Sequence, residues 1–141
     1  QAGVLAVCRR DLLTPFGLRT LTPSHADYRG QHLGTVAERD EAYHQGTAWG
    51  WLLGHFALAE YRVTGDADLA LGRLAPMATH LAEAGLGGLG EVFDGDPPHR
   101  PRGAPLQAWT VACTLEAWWR LSRFRVRTPS EAPPRVLAPG P

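Results

Sequence analysis

Four stretches of this 141-residue chain repeat apolar side chains at intervals of three and four residues, and that period limits the fold more than any other feature. Side chains at i, i+3, i+4 and i+7 share one face of a helix and can be buried together. The first stretch, Ala2 to Leu13, places Val4, Leu5, Cys8 and Leu12 in this way and stops at Thr14-Pro15. A second, from about Thr47 to Val63, aligns Trp49, Leu52, Leu53 and Phe56, with Gly65 where a helix would end. A third, Asp66 to Gly85, aligns Leu71, Leu74, Ala75, Ala78, Leu81 and Ala82. Asp66 is its expected N-cap, Gly85 its stop, and Pro76 a kink. The fourth, Ala104 to Phe124, aligns Ala108, Val111, Ala112, Leu115 and Trp119, with Pro105 suited to a first helical turn. The pattern predicts an all-α fold of four helices.

The connections are unequal. Gly17 to Asp40 has no sustained period and contains the turn-rich "TPSHADYRG", which reads as a long ordered loop. Between the third and fourth helices, "GEVFDGDPPHRPRG" from Gly90 to Gly103 crowds carboxylates, arginines and a histidine onto a proline-stiffened frame. A plain surface connection does not need that chemistry. Residues 126–141 are proline-rich with little to bury, so the expected organisation is one helical domain over 1–125 and a disordered tail over 126–141. The second and fourth helices are rich in Trp and Gly and begin beside polar clusters, whereas the first and third are ordinary amphipaths. That alternation predicts two layers of helices with both polar clusters at one end.

Composition removes several function classes. Fourteen arginines, no lysine and fourteen acids give zero formal charge, so no basic field attracts nucleic acid or an anionic membrane. No apolar run approaches the roughly 20 residues of a membrane span. Cys8 and Cys113 match no metal spacing and read as buried, reduced thiols of a cytoplasmic protein. Asp94 and Asp96 in "DGD" lack the further ligands of a calcium loop, and no histidine has ligand spacing. No metal or cofactor is therefore expected. The chain opens on Gln1 and runs at once into helix-like sequence, which reads as a piece of a longer protein.

Three motifs carry a family resemblance: "GLRTLTPSHADYRG", "RDEAYHQGTAWGWLLGHF" from Arg39 to Phe56, and "EVFDGDPPHRPRGAPLQAWTVA" from Glu91 to Ala112. In order and spacing, over roughly residues 2 to 123, the chain resembles the C-terminal part of bacterial and archaeal glycogen debranching enzymes of the amylo-alpha-1,6-glucosidase type. The resemblance implies a glucoamylase-like (α/α)6 toroid, of which this chain would hold the last four helices, about one third, with long loops before the inner ones. It implies inverting hydrolysis of α-1,6-linked glucose at glycogen branch points. Such chemistry needs a carboxylic acid for the leaving oxygen and a carboxylate for water, roughly 6.5–9.5 Å apart. Glu91 occupies the position of the base, while the acid, an Asp in the family, would lie upstream of this chain. The implied partners are a branched α-glucan and the remainder of the chain's own barrel.

For the substrate the reading nominates Arg39, Asp40, Tyr43, His44, Gln45, Trp49, Asp94, Arg102, Gln107 and Trp109. Each has a plainer alternative. Arg39 and Asp40 serve equally as a sugar clamp or as an ion pair orienting the loop, His44 as a helix cap, Asp94 as a turn cap, and Trp49 or Trp51 as core. Trp118 and Trp119 lie far from the polar end and read as packing residues. Where the family usually has "HQGTVWPW", this chain has Ala48 and Gly50; Gly90 replaces a Ser before the Glu, and Ala104 replaces the Cys of "RGC". The competing reading is a catalytically inactive carbohydrate-binding or structural remnant. As an isolated piece, the chain is expected to expose apolar faces and to self-associate.

Overall fold

The computed structural model describes residues 1–84 and 86–126, the last by its backbone alone. Gly85, expected to stop a helix, and residues 127–141, which hold nearly all of the expected tail, lie outside them. The first periodic stretch forms α1 (Ala2–Val7), which widens into one π-helical turn, Cys8–Leu12, before the chain extends at Leu13. The second forms α3 (Trp51–Thr64), closed by Gly65 at φ 71, a left-handed conformation that glycine adopts without cost.

The third stretch divides into α4 (Ala67–Gly72) and α5 (Ala75–Glu83). Asp66 caps α4 by accepting the Leu69 N–H at 2.9 Å. Pro76 sits in the first turn of α5, where its missing N–H removes no helical bond, so the expected kink is a full break. The fourth forms α6 (Ala108–Val126), and Pro105 precedes it. Inside the expected long loop a further helix appears, α2 (Val36–Ala42). It is nucleated by a capping box in which Thr35 accepts the Glu38 N–H and the Glu38 carboxylate accepts the Thr35 N–H.

The all-α expectation, four helices forming a third of a toroid, is overturned by a five-stranded antiparallel sheet. Its strands are β1 (Leu13–Thr14), β2 (Gly17–Arg19), β3 (Ala48–Trp49), β4 (Val92–Phe93) and β5 (Pro101–Arg102), paired in chain order. Runs of two or three residues are too short to show the alternation by which a strand is recognised. The sheet begins α3 later than the periodicity predicts, because Ala48 and Trp49 pair with Arg19 and Leu18 on one side and with Phe93 and Val92 on the other.

The core gathers Leu53 and Ala57 of α3, Ala70 of α4, Leu74, Met77 of α5, Leu89, Phe93, and Ala117 and Leu121 of α6. Helices α3 and α6 approach closely at Gly54, where a Cβ would collide with the Cys113 carbonyl. At the far end, Tyr61 and Phe124 stack with centroids 4.6 Å apart. Trp118 and Trp119, expected to pack, stay half exposed, and the Arg123 guanidinium lies over the Trp119 ring at 4.6 Å. Among the described residues, no helix is long and apolar enough to cross a membrane.

Glu60 and His80 are fully buried in this framework. Glu60 of α3 receives Arg73 from the α4–α5 junction through two bonds, at 2.9 and 3.1 Å, and Arg9 from the π-helical turn at 2.6 Å. One carboxylate thereby ties three elements together. His80 of α5 packs edge-on to Phe93 at 5.0 Å and near Phe16 at 5.9 Å, and its Nε2 accepts the Gly90 N–H at 3.3 Å. Burial pushes the imidazole below its ordinary value and keeps it the neutral acceptor that this bond requires.

Breaking a buried ion pair from one side costs about 3–5 kcal/mol, and partial exposure of both arginines places Glu60→Ala near the lower end, about 3 kcal/mol. Arg9→Ala should cost about 1 kcal/mol, because Arg73 still neutralises Glu60. Urea unfolding of the two variants checks this order; equal, small losses would mean that the triad does not brace the fold.

For His80 the sign follows from its depressed value. The neutral form is preferred in the folded protein, so the unfolded chain binds more protons below about pH 6.5, and stability falls as pH drops. Between about pH 7.5 and about pH 5.5 the protein should lose more stability than a His80→Leu variant does. Denaturant midpoints at the two pH values test it, and parallel losses would refute it.

Candidate active site

The sheet delivers Glu91 to one end of the paired helices α3 and α6. The Glu91 backbone is fixed on two sides: its carbonyl accepts the Gly50 N–H at 3.2 Å, and its N–H donates to the Ala104 carbonyl at 3.0 Å. Gly50 immediately precedes α3. The Leu89 carbonyl accepts the Gln107 N–H at 2.9 Å, which anchors the start of α6 beside the same loop. Both helices thus begin around one half-buried carboxylate.

Three donors converge on that carboxylate. Tyr43 Oη donates to Oε1 at 2.6 Å, Gln107 Nε2 donates to Oε1 at 3.2 Å, and the Ala104 N–H donates to Oε2 at 3.0 Å. The amide of Gln107 is oriented by Thr110, whose hydroxyl donates to its Oε1 at 2.9 Å. Gly103 makes room. It sits at φ 64, and a Cβ there would collide with the Glu91 carboxylate. Three donors and no acceptor suit an ionised, acceptor-only group. Burial first, then the bond to Glu91, raises the Tyr43 phenol to about 12, so it remains a protonated donor across the range in which proteins fold.

The carboxylate faces a cleft of about 310 Å³ lined by Tyr43, Trp49, Glu91, Gln107, Ala108 and Trp109. That size lies at the small end for ligand sites. Trp49 is buried, its indole N–H donating to the Tyr43 carbonyl at 3.1 Å, its ring parallel to His44 with centroids 5.4 Å apart and edge-on to Tyr43 at 4.8 Å. Trp109 is 65% exposed and touches Trp51 only edge-on, at 6.4 Å.

Of the residues nominated from the sequence, the structure gathers Glu91, Tyr43, Trp49, Gln107 and Trp109 around the cleft, and His44 stacks behind Trp49. Asp94 and Arg102 form a separate pair across the β4–β5 hairpin, at 2.9 to 3.1 Å, and Asp94 also accepts the His32 N–H at 2.9 Å. Asp94 is buried and its carboxylate engaged, which leaves it as a brace for the hairpin. Arg39 of α2 donates to the Gly34 carbonyl at 2.7 Å, just before its own helix, and Asp40 and Gln45 project from the surface. These three do not line the cleft.

Sequence reasoning did not find Ala104, which acts through its backbone, or Thr110, which orients Gln107 from one helical turn away. Only the glycine before Ala104 signals the turn that aims its N–H. It also missed the clamp formed by the long upstream loop. There Tyr28 Oη donates to Asp96 at 3.0 Å, Arg19 to the Gly95 carbonyl at 2.8 Å, and the Asp96 N–H to the Gly30 carbonyl at 3.1 Å.

Comparison with known proteins bears on this geometry. The glycogen debranching enzyme of Saccharomyces cerevisiae (strain ATCC 204508 / S288c) is 28% identical over an alignment 130 positions long; the match covers 76% of this chain and 8% of the yeast protein. This chain thus spans a small part of that relative's length. The family model described as Amylo-alpha-1,6-glucosidase matches residues 1–116, a span that contains the whole sheet, every cleft residue and the start of α6. On that match the chain belongs to the amylo-alpha-1,6-glucosidase family.

Proposed function

We propose that this chain supplies the general-base half of a debranching glycoside hydrolase, as the C-terminal part of a glycogen debranching enzyme acting on α-1,6-linked glucose at the branch points of a glucan. The observation that carries the reading is the Glu91 carboxylate, fixed by three donors at a small cleft beside an exposed tryptophan. Family membership and the yeast relative's name support the substrate class.

In this reading Glu91 accepts a proton from water as the water oxygen bonds to the anomeric carbon. The glycosidic C–O bond breaks with its electron pair on the leaving oxygen, which takes a proton from a carboxylic acid on the opposite face. That acid, an Asp, is contributed by sequence upstream of residue 1. The two carboxyls exchange roles in sum: one gains a proton, the other loses one, and the anomeric configuration inverts. Trp109 offers an exposed apolar ring to the sugar, and Gln107 has one amide hydrogen beyond the bond to Glu91.

Glucose release from a branched limit dextrin tests the whole reading, comparing the 141-residue chain with a longer natural polypeptide that contains it. Activity confined to the longer protein supports a split pair of carboxyl groups. Activity in neither would favour an inactive binding or structural remnant.

Two substitutions in the active protein sharpen the test. Glu91→Gln keeps the shape and removes the base, so kcat should fall roughly 10²–10⁴-fold with a near-unchanged melting temperature. Turnover close to normal would remove Glu91 from this role. Trp109→Ala should raise KM about tenfold, the equivalent of about 1.4 kcal/mol, while changing kcat much less. An unaltered KM would show that the ring does not hold sugar.

A further inference from the structure

Glu91 is not held symmetrically. Its Oε1 accepts two hydrogen bonds, from Tyr43 and Gln107, and its Oε2 accepts one, from the Ala104 N–H. The two Oε1 donors line the cleft, whereas Oε2 turns back to the hairpin, where a Cβ on Gly103 would collide with it.

Tyr43 is built to impose this asymmetry. It follows the last residue of α2, and its carbonyl accepts both the Thr47 hydroxyl at 2.7 Å and the Trp49 indole N–H at 3.1 Å, which fixes its backbone. Its ring is enclosed by His32, His44 and Trp49, with centroids 5.6, 5.0 and 4.8 Å away. Its hydroxyl already makes, at 2.6 Å, the shortest of the three bonds to Glu91.

We infer that Tyr43 is a positioning residue, which through its bond to Oε1 holds the Glu91 carboxylate in the orientation from which it takes the proton of the attacking water. The inference rests on the base role proposed above for Glu91. It replaces the expectation that Tyr43 contacts substrate. The step balances as before: the water O–H bond breaks, its proton joins the Glu91 carboxylate, its electron pair forms the bond to the anomeric carbon, and the leaving group departs with the glycosidic pair.

Tyr43→Phe removes the hydroxyl and keeps the enclosed ring. Measured in the full-length natural protein that contains this chain, it should lower kcat on a branched dextrin about 10- to 100-fold with KM within about twofold. With α-glucosyl fluoride, whose leaving group departs without an acid, the same fold-loss should appear, because the defect lies in the base step. That substrate also keeps residual turnover of Glu91→Gln measurable. In the Glu91→Gln background, Tyr43→Phe should cause no further loss, since its effect passes through Glu91. A raised KM with unchanged kcat would return Tyr43 to sugar contact and overturn the inference. So would an equal fold-loss in the Glu91→Gln background, or no loss at all. Normal turnover of Glu91→Gln alone would instead refute the base reading, so the two failures are distinguishable.

Discussion

Glu91 and Ala104 hold each other twice, once through backbone and once through the carboxylate, and the arrangement of the site depends on that reciprocal contact. The backbone bond extends the β4–β5 pairing, in which Val92 faces Arg102, by one step toward the cleft. The side-chain bond then returns to the residue just reached. Such a return needs a neighbour without a Cβ, and Gly103 provides it while turning the chain at positive φ. A loop carboxylate of this kind loses rotamer freedom before any substrate arrives, which is the physical content of preorganisation in electrostatic catalysis.

The helices matter to the site chiefly through their first residues. Helices α3 and α6 pack at the close approach of Gly54, and the residues immediately before them, Gly50 and Gln107, are both tied to the segment Leu89–Glu91. Glu60, lower on α3, binds Arg9 and Arg73 and so fixes the π-helical turn and the α4–α5 break to the same helix. Burying that carboxylate is tolerable because both oxygens are met by guanidinium groups. The result is a frame in which movement of either helix start would disturb the carboxylate directly.

The departures from the usual family motif acquire physical reasons at particular positions. A Cβ at Gly50 would lie 2.6 Å from the Thr110 methyl, and Thr110 orients Gln107, so glycine there goes with the hydroxyl that supports the Glu91 network. Ala48 is fully buried between two strands. At Ala104 only the backbone is used, so the side chain's identity matters less than the amide that precedes Pro105. The capping box at Thr35 and Glu38 was written plainly in the sequence, yet the absence of a long apolar period hid the short helix behind it.

The sequence by itself determined which four periodic stretches hold helix, the stop at Gly65, the family, and the candidacy of Glu91, because helical period, glycine chemistry and a long motif are local properties. Tertiary structure alone decided the sheet, since strands of two or three residues carry no period of their own and the β2–β3 and β3–β4 pairings that unite it join positions tens of residues apart. It also decided which nominated residues share the cleft. Arg39, Asp40 and Gln45 adjoin Tyr43 in the chain, but a helix and a turn point them elsewhere, whereas Gln107 and Ala104 arrive from beyond a hairpin. A carboxylate's acceptor geometry is set by donors in space, and sequence proximity does not encode their direction.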